Sequence, residues 1–190
     1  MKTLSLMGGL AYNNAMRKRV IPFAYATSLY EVELDFFAKL GIKTLLLDLD
    51  NTLAPYTEAV PSEKTKALID GFKKAGLLPI VTSNNRGGRV KTFCDALGIE
   101  CACLMAKPFS FKIRRLLKDK GLSPEETMLI GDQIETDVKA GNGAHVRVLL
   151  TEPLDTSHEP FTTVINRIFD RPTRKRLRKK GLLKPWREFL

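Results

Sequence analysis

The sequence has few cysteines and no long apolar run. Its three cysteines, Cys94, Cys101 and Cys103, are odd in number and form no CxxC pair. This pattern argues against a disulfide-stabilised secreted protein and predicts reduced packing residues in the cytoplasm. No stretch approaches about 18 consecutive apolar residues, so we expect no transmembrane helix.

The composition predicts a globular chain with a basic end. In 190 residues, 44% are hydrophobic, which suits a single domain with a sizeable core. We expect that domain to span 1–190, with a core at about 28–150 and appendages at 1–27 and 151–190. Residues 161–190 hold ten of the basic side chains and two acids, so they carry most of the net charge of +10.

Short apolar runs alternate with stretches of helical spacing. Five strands are predicted, at 44–49, 77–82, 99–104, 127–130 and 144–150. Helices are predicted before the first strand and between each pair of strands, at 28–40, after Ser62, around 90–97, around 109–117 and at 135–141. This alternation predicts an α/β fold, with a doubly wound parallel sheet and helices on both faces.

Polar side chains follow four of these strands. Leu45, Leu46 and Leu47 lead into Asp48 and Asp50, and a strand buried on both faces has no structural use for such acids. In open α/β sheets, ligands bind outside the carboxyl ends of the strands. The other candidate groups at that edge are Ser83, Lys107, Asp132 and Asp137. Taken singly, each of these four reads as a helix cap or a surface residue, but together they predict a reaction site.

The order and spacing of these groups resemble the four motifs of the haloacid-dehalogenase (HAD) superfamily. The first is Asp48-Leu-Asp50-Asn-Thr52, and the second is Ser83-Asn84. The third is Lys107, and the fourth is the run 131–137, Gly-Asp-Gln-Ile-Glu-Thr-Asp. The resemblance covers about 44–150 and implies a HAD-like Rossmannoid fold and phosphatase activity. The second aspartate argues against a haloalkanoic-acid dehalogenase, and Asn51-Thr52 argues against a P-type ATPase.

The resemblance also implies the role of each residue. Asp48 is expected to be the nucleophile that forms an aspartyl-phosphate, and Asp50 the general acid and base. Lys107 would add positive charge, while Ser83 and the Asn84 N–H would bind the substrate phosphate.

Magnesium is the expected cofactor, because it prefers oxygen ligands and binds through one or two carboxylates plus substrate phosphate. The expected ligands are Asp48, Asp132 and the backbone carbonyl of Asp50. Asp137 and Thr52 would support them from behind, Asp137 by orienting a bound water or Lys107.

The intervals between the motifs are too short for a cap domain. The 33 positions from Asp50 to Ser83 and the 24 from Ser83 to Lys107 are filled by predicted core elements. This capless arrangement, with the flanks at 22–30 and 162–183, resembles the YqeG-type subfamily III HAD phosphatases, which are related to mitochondrial phosphatidylglycerophosphate phosphatase. The resemblance implies phosphatidylglycerol phosphate, a glycerophospholipid, as substrate.

The basic C-terminal region fits peripheral contact with an anionic membrane. Seven basic residues lie between Arg171 and Lys180 with no acid among them, and each contributes roughly 1 kcal/mol near an anionic leaflet. Phe23, Tyr25, Trp186 and Phe189 are candidate interface aromatics, although packing on the core is an equal interpretation.

Three other interpretations stay open. The open site would suit a small phosphorylated metabolite if a neighbouring subunit closed it. The basic region would also suit polynucleotide 3′-phosphates, but no aromatic platform for nucleic acid is evident. A non-catalytic adaptor that binds membrane or ribosomes is the interpretation from a different class, and the intact motif set argues against it.

Overall fold

The computed structural model describes residues 19–190, which contain one six-stranded sheet with every strand parallel to its neighbours. The strands are β1 (Ala24–Tyr25), β2 (Thr44–Leu47), β3 (Leu78–Thr82), β4 (Glu100–Ala102), β5 (Thr127–Gly131) and β6 (Arg147–Leu150). Their spatial order is β1-β6-β5-β2-β3-β4, so the strand order reverses next to the central strand β2. Ligands of doubly wound sheets bind outside the carboxyl ends of the strands at such a point.

Helices connect the strands. The α-helices are α1 (Leu34–Lys39), α2 (Glu63–Lys74), α3 (Gly87–Leu97), α4 (Phe111–Asp119), α5 (Lys139–Gly143) and α6 (Phe161–Lys179). A π-helical turn at Ile134–Val138 precedes α5, and 3₁₀ turns lie at Leu29–Glu31 and Trp186–Phe189. The Ser62 side chain caps α2, as the sequence predicts, by accepting a hydrogen bond from the Thr65 N–H.

The sheet divides the core into two layers, because successive side chains of a strand point to opposite faces. Leu45 and Leu47 of β2 pack on the face that α1, α2 and α3 cover. Leu46 packs on the other face with α4, α5 and α6. Helices therefore lie on both faces, which confirms the predicted Rossmannoid architecture.

Nothing that resembles a cap domain interrupts residues 50–107. A loop and α2 lie between β2 and β3, and α3 lies between β3 and β4. The carboxyl edge of the sheet is therefore bordered by loops and by α6.

The structure differs from the sequence prediction mainly at the two flanks. The helix predicted at 28–40 divides into a 3₁₀ turn and the short helix α1, because Val32 and Glu33 are extended. The region 151–190, expected to be an appendage, contains α6 and the buried Trp186. The region 1–27 was also expected to be an appendage, but Ala24–Tyr25 forms edge strand β1 beside β6. The part of that prediction that concerns 1–18 lies outside the described residues.

Three of the four aromatic residues that the sequence offered for a membrane interface pack on the core instead. Trp186 is 1% exposed, and its ring lies 6.0 Å from that of Phe36 in an edge-on contact. Phe23 and Phe189 stack at 4.7 Å and pack against the same core layer. The packing interpretation is therefore correct for these three rings.

Within residues 19–190, no helix has the length and apolar character that crossing a bilayer requires.

Candidate active site

Lys107 joins two of the predicted acids at the carboxyl edge of the sheet. Its Nζ atom donates to Asp48 Oδ1 at 2.6 Å, to Asp137 Oδ1 at 2.7 Å and to the Thr82 carbonyl at 3.0 Å. Asp48 follows β2, Thr82 ends β3, and Asp137 lies in the π-helical turn after β5. The three donor positions of the ammonium group are therefore filled by groups from three different elements, which fixes the Lys107 side chain.

Asp132 completes a cluster of buried carboxylates. One ligand oxygen from each of Asp48, Asp132 and Asp137 lies within 4.8 Å of the others, and all three residues are buried. Asp132 is fully buried, and among the described residues its Oδ1 atom has no hydrogen-bond partner. A buried oxygen without a partner is costly, so this atom is a ready ligand for a cation.

The cluster fits a divalent cation by its donor set and its charge. It consists of carboxylate oxygens, which hard cations such as Mg²⁺ prefer. Lys107 and Arg167 are the cations paired with these three acids, and Arg167 also pairs with a fourth acid, Glu159. The site therefore keeps an excess of buried negative charge, which a bound cation would neutralise.

The pKa values of these groups are shifted by burial first and by neighbouring charges second. Burial raises the pKa of Asp132 to about 7, and Asp137 adds to the shift against the charge of Arg167. Burial likewise raises the pKa of Asp48 well above its usual range, although Lys107 opposes the shift. Burial lowers the pKa of Lys107, but Asp137 and Asp48 outweigh it and the net shift is upward. Lys107 is therefore a fixed positive charge. The charged forms of the carboxylates beside it would also be stabilised by a second positive charge, such as a bound cation.

Gly131 allows Asp137 to reach Lys107. A Cβ atom at Gly131 would lie 2.3 Å from Asp137 Cγ, closer than any side chain tolerates. Asp137 Oδ2 also accepts from the Gln133 N–H and the Thr136 hydroxyl, each at 3.2 Å. Both oxygens of Asp137 therefore make protein contacts, which suits the prediction that it orients Lys107.

Asp50 is held by two residues that the motif analysis missed. Asn85 Nδ2 donates to Asp50 Oδ2 at 2.6 Å, and Arg89 of α3 forms an ion pair with Oδ1. Arg89 also donates to the carbonyls of Pro55 and Glu58, so it links Asp50 to the loop after β2. Burial raises the pKa of Asp50, although the Arg89 charge opposes the shift. No strand-end position marks Arg89; only its place in the first turn of the helix after Ser83 could have suggested it.

Ser83 and Asn84 lie at the mouth of the site in different roles. Ser83 is buried, and its hydroxyl accepts from the Asn85 N–H at 3.1 Å. The Asn84 side chain pairs with the Lys107 backbone, donating to its carbonyl at 2.9 Å and accepting from its N–H at 2.8 Å. Asn84 therefore fixes the loop that carries Lys107.

The loop after Asp50 is tied to the chain beyond β6. Asn51 has a left-handed backbone with φ of 64°, and its Nδ2 donates to Glu159 Oε1 at 2.7 Å. Thr52 is buried, and its hydroxyl has no hydrogen-bond partner among residues 19–190. The supporting role of Thr52 stays a prediction, whereas Asn51 connects the loop to Glu159.

Helix α6 holds the Asp132 loop in place. Arg167 forms an ion pair with Asp132 Oδ2 and donates to Glu159 Oε1 at 2.5 Å. Arg174 donates to the Asp132 carbonyl at 2.7 Å, and Asp170 accepts from the Ile134 N–H at 2.5 Å. These three α6 residues are buried and share one face of the helix. The sequence carries no signal for this role, because the basic composition of 171–180 placed Arg174 among the residues expected to contact a membrane.

A cleft of about 310 Å³ opens above the cluster. Its walls come from the strand ends, the loop after Lys107 and the first turns of α6. Residues that line it are Asp48, Asp50, Tyr56, Ser83, Asn84, Asn85, Lys107, Pro108, Gln133, Glu135, Thr136, Lys139, Thr162, Thr163 and Asn166. Asp48 Oδ2 accepts no hydrogen bond from a described residue, so this oxygen is free to meet a ligand in the cleft.

The profile of the HAD-hydrolase-like family matches residues 104–159, which contain Lys107, Asp132 and Asp137. The chain is 28% identical to "Probable phosphatase YqeG" of Bacillus subtilis (strain 168) over 91% of its length and 99% of the relative. It is 29% identical to the Arabidopsis thaliana "Phosphatidylglycerophosphate phosphatase 1, chloroplastic/mitochondrial", over 87% of the chain but only half of that protein.

Solved structures show the same fold at low identity. A structure from Vibrio cholerae has a TM-score of 0.50 at 18% identity and covers 76% of this chain and 92% of its own. An uncharacterized protein from Listeria monocytogenes serotype 4b also has a TM-score of 0.50, with 16% identity over 63% of this chain and 85% of that one.

The profile match and the two named relatives show that the chain is similar to HAD-like hydrolases. Its similarity to YqeG and to a phosphatidylglycerophosphate phosphatase indicates a phosphatase.

Proposed function

We propose that the protein is a Mg²⁺-dependent phosphomonoesterase that works through an aspartyl-phosphate on Asp48. The observation that carries this proposal is the position of Lys107 between Asp48 and Asp137, beside the partnerless oxygen of Asp132. One acid is thereby fixed by a buried cation while its second oxygen faces the cleft.

Asp48, Asp132 and the Asp50 carbonyl are the proposed Mg²⁺ ligands. The ion supplies positive charge that lets an anionic phosphate approach a carboxylate. Lys107 adds a second positive charge that the protein itself holds in place.

Asp48 and Asp50 divide the covalent chemistry between them. Asp48 Oδ2 attacks phosphorus, and the bond from phosphorus to the alcohol oxygen of the substrate breaks. Protonated Asp50 gives its proton to that leaving oxygen. Asp50 then takes a proton from the water that attacks the aspartyl-phosphate, which releases inorganic phosphate and restores Asp48. Ser83 and the Asn84 N–H bind the phosphate oxygens, and Lys107 stabilises their charge.

Phosphatidylglycerol phosphate is the proposed substrate, hydrolysed at an anionic membrane surface in the cytoplasm. Two kinds of support favour it: relatives named for this activity, and a capless cleft that admits a phosphate while leaving a large remainder of the substrate outside. The exposed basic residues of α6 provide attraction to such a surface.

A substrate panel tests the proposal. The full-length protein, with Mg²⁺ or with excess chelator, is given phosphatidylglycerol phosphate, a 3′-phosphorylated oligonucleotide or a sugar phosphate, and phosphate release is measured. Asp48→Asn, prepared identically, controls for contaminating phosphatases. We expect phosphate release to depend on Mg²⁺. Among the three substrates, the lipid should have the highest kcat/KM. A higher value for the oligonucleotide or the sugar phosphate would replace the lipid substrate.

A further inference from the structure

The first half of α6 exposes an unusual set of large apolar side chains. Five of the nine residues at 161–169 are apolar and at least 38% exposed: Phe161 at 77%, Val164 at 45%, Ile165 at 38%, Ile168 at 63% and Phe169 at 60%. Single exposed apolar residues are ordinary, but a contiguous patch marks an interaction surface. We name these five residues the apolar half of α6.

The orientation of this patch is fixed by the opposite face of the same helix. Arg167, Asp170 and Arg174 bind the Asp132 loop, while Thr163 and Leu177 are buried beside them. These positions recur every three or four residues, so they form one stripe of the helix. The helix cannot rotate to bury its apolar half without releasing the site.

The second half of the exposed face carries positive charge. Arg171, Lys175, Arg176 and Lys179 are all exposed, and no acid lies between 171 and 180. We name these four residues the basic half of α6. Between 161 and 169, by contrast, the only charged residue is Arg167, which is buried. One face of a 19-residue helix, about 28 Å long at 1.5 Å per residue, is thus divided into an apolar and a basic half.

The apolar half lies at the rim of the cleft. Thr162, Thr163 and Asn166, from the same turns of α6, line the cleft that contains Asp48. On another wall, Pro108 is followed by Phe109, which is 65% exposed. Exposed apolar groups therefore border the opening through which a substrate must enter.

We propose that this face of α6 docks on an anionic lipid bilayer, with the apolar half inserted among the acyl chains and the basic half on the headgroups. The charge division matches an interfacial helix, in which apolar burial and attraction to anionic lipid act together. The inference rests on the proposed lipid substrate, since docking there brings the cleft to a phosphate in the headgroup layer. In this proposal the exposed residues of α6 contact the membrane. Trp186 and Arg174 do not, because both are buried.

Vesicle flotation tests the surface directly. Full-length protein is floated with vesicles of phosphatidylcholine alone or of phosphatidylcholine with phosphatidylglycerol, and flotation on the mixed vesicles is expected. The double variant Ile168→Ser/Phe169→Ser should lower the partition coefficient by about tenfold or more. Leu78→Ser is the matched control, because Leu78 is 43% exposed at the amino end of β3, far from the cleft.

Charge reversal tests the basic half. Lys175→Glu/Lys179→Glu should abolish the preference for phosphatidylglycerol vesicles. Flotation of this variant should also no longer decrease as the salt concentration rises. Lys118→Glu, at an exposed position of α4, should leave both unchanged. Equal flotation of the wild type and both α6 variants would overturn the proposal, and so would a wild type that does not float. Variants that float normally but lose a dimer in size-exclusion chromatography would assign the face to a second copy instead.

Two substrates separate failure of the docking surface from failure of the proposed function. With p-nitrophenyl phosphate in solution, Ile168→Ser/Phe169→Ser should match the wild type, because neither residue touches the acids or Lys107. With phosphatidylglycerol phosphate in vesicles, its kcat/KM should fall about tenfold. Equal activity of variant and wild type on vesicles would overturn the docking surface. A wild type that floats and hydrolyses only the soluble ester would overturn the lipid substrate while the docking surface stands.

Discussion

Two regions of the molecule meet at Asp132: the acids at the strand ends and the buried face of α6. Their side chains are brought to this point by different parts of the fold. Asp48 and Asp132 follow β2 and β5, which pair in parallel, so the sheet itself places both carboxylates at one edge. Arg167 and Arg174 reach the same loop from a helix 35 and 42 positions further along the chain. The proposed reacting groups are thus placed by the sheet, whereas the groups that hold them arrive by tertiary packing.

Two kinds of residue therefore form this edge: the proposed reacting acids, which follow strands, and the α6 side chains, which hold the Asp132 loop. A change to a reacting acid should remove chemistry and leave the fold. A change to the buried face of α6 should instead disturb the fold and the cation site together. Six variants test this division.

Asp48→Asn should have the largest effect on turnover. The amide is a poor nucleophile but has nearly the same size, so phosphate release should fall below detection while the fold is kept. Steady-state phosphate release and thermal unfolding measure the two properties. Activity equal to the wild type would refute the assignment of the nucleophile.

Asp50→Asn should come next. Without a proton donor and acceptor, both formation and hydrolysis of the aspartyl-phosphate should slow, by about 10²–10⁴-fold. Rapid-quench measurements with labelled substrate follow the two steps separately. An effect on only one step would show that Asp50 does not serve as both acid and base.

Arg167→Ala should destabilise the protein more than either acid variant. It leaves Asp132 and Glu159 buried without their cation, and breaking a buried ion pair in this way costs about 3–5 kcal/mol. Chemical denaturation measures the loss.

Arg167→Lys is the companion variant that should remain folded. It keeps the charge but loses the forked contacts, so the Mg²⁺ concentration for half-maximal activity should rise about 10-fold or more. An unchanged Mg²⁺ requirement would show that Arg167 stabilises the fold without positioning Asp132.

Arg178→Ala should have the smallest effect. Arg178 lies one turn beyond Arg174, but its side chain is 59% exposed and it pairs with Glu152 at the surface. Loss of an exposed pair changes the free energy of unfolding by at most about 1 kcal/mol. Arg174→Ala, its buried counterpart, should cost clearly more by the same measurement, because it strips the Asp132 carbonyl of a donor. Equal losses would show that the burial of Arg174 adds nothing to its contribution to stability.

The sequence predicted the sheet and the groups at its edge because both depend on local patterns. Apolar runs such as Leu45–Leu47 identify buried strands, and parallel strands bring their carboxyl ends together. The cluster of Asp48, Asp132 and Asp137 around Lys107 follows from that geometry.

The remaining parts of the site depend on long-range packing. Arg89 meets Asp50 across 39 positions and Arg167 meets Asp132 across 35, and no spacing rule relates them. The basic composition of 171–180 suggested contact with a membrane, yet Arg174 is buried because it donates to the carbonyls of Thr151 and Asp132. Which face of a helix is buried is decided by what it meets.

The buried position of Trp186 restricts how the C-terminal region can be dissected. Deleting residues 171–190 to remove positive charge would also remove Arg174 from the Asp132 loop and the only tryptophan from the core. Any loss of vesicle binding in such a truncation would be confounded with unfolding. Point reversals on the outer face avoid this problem, and the emission of the single indole then reports, in each sample, whether the end of the chain is still docked.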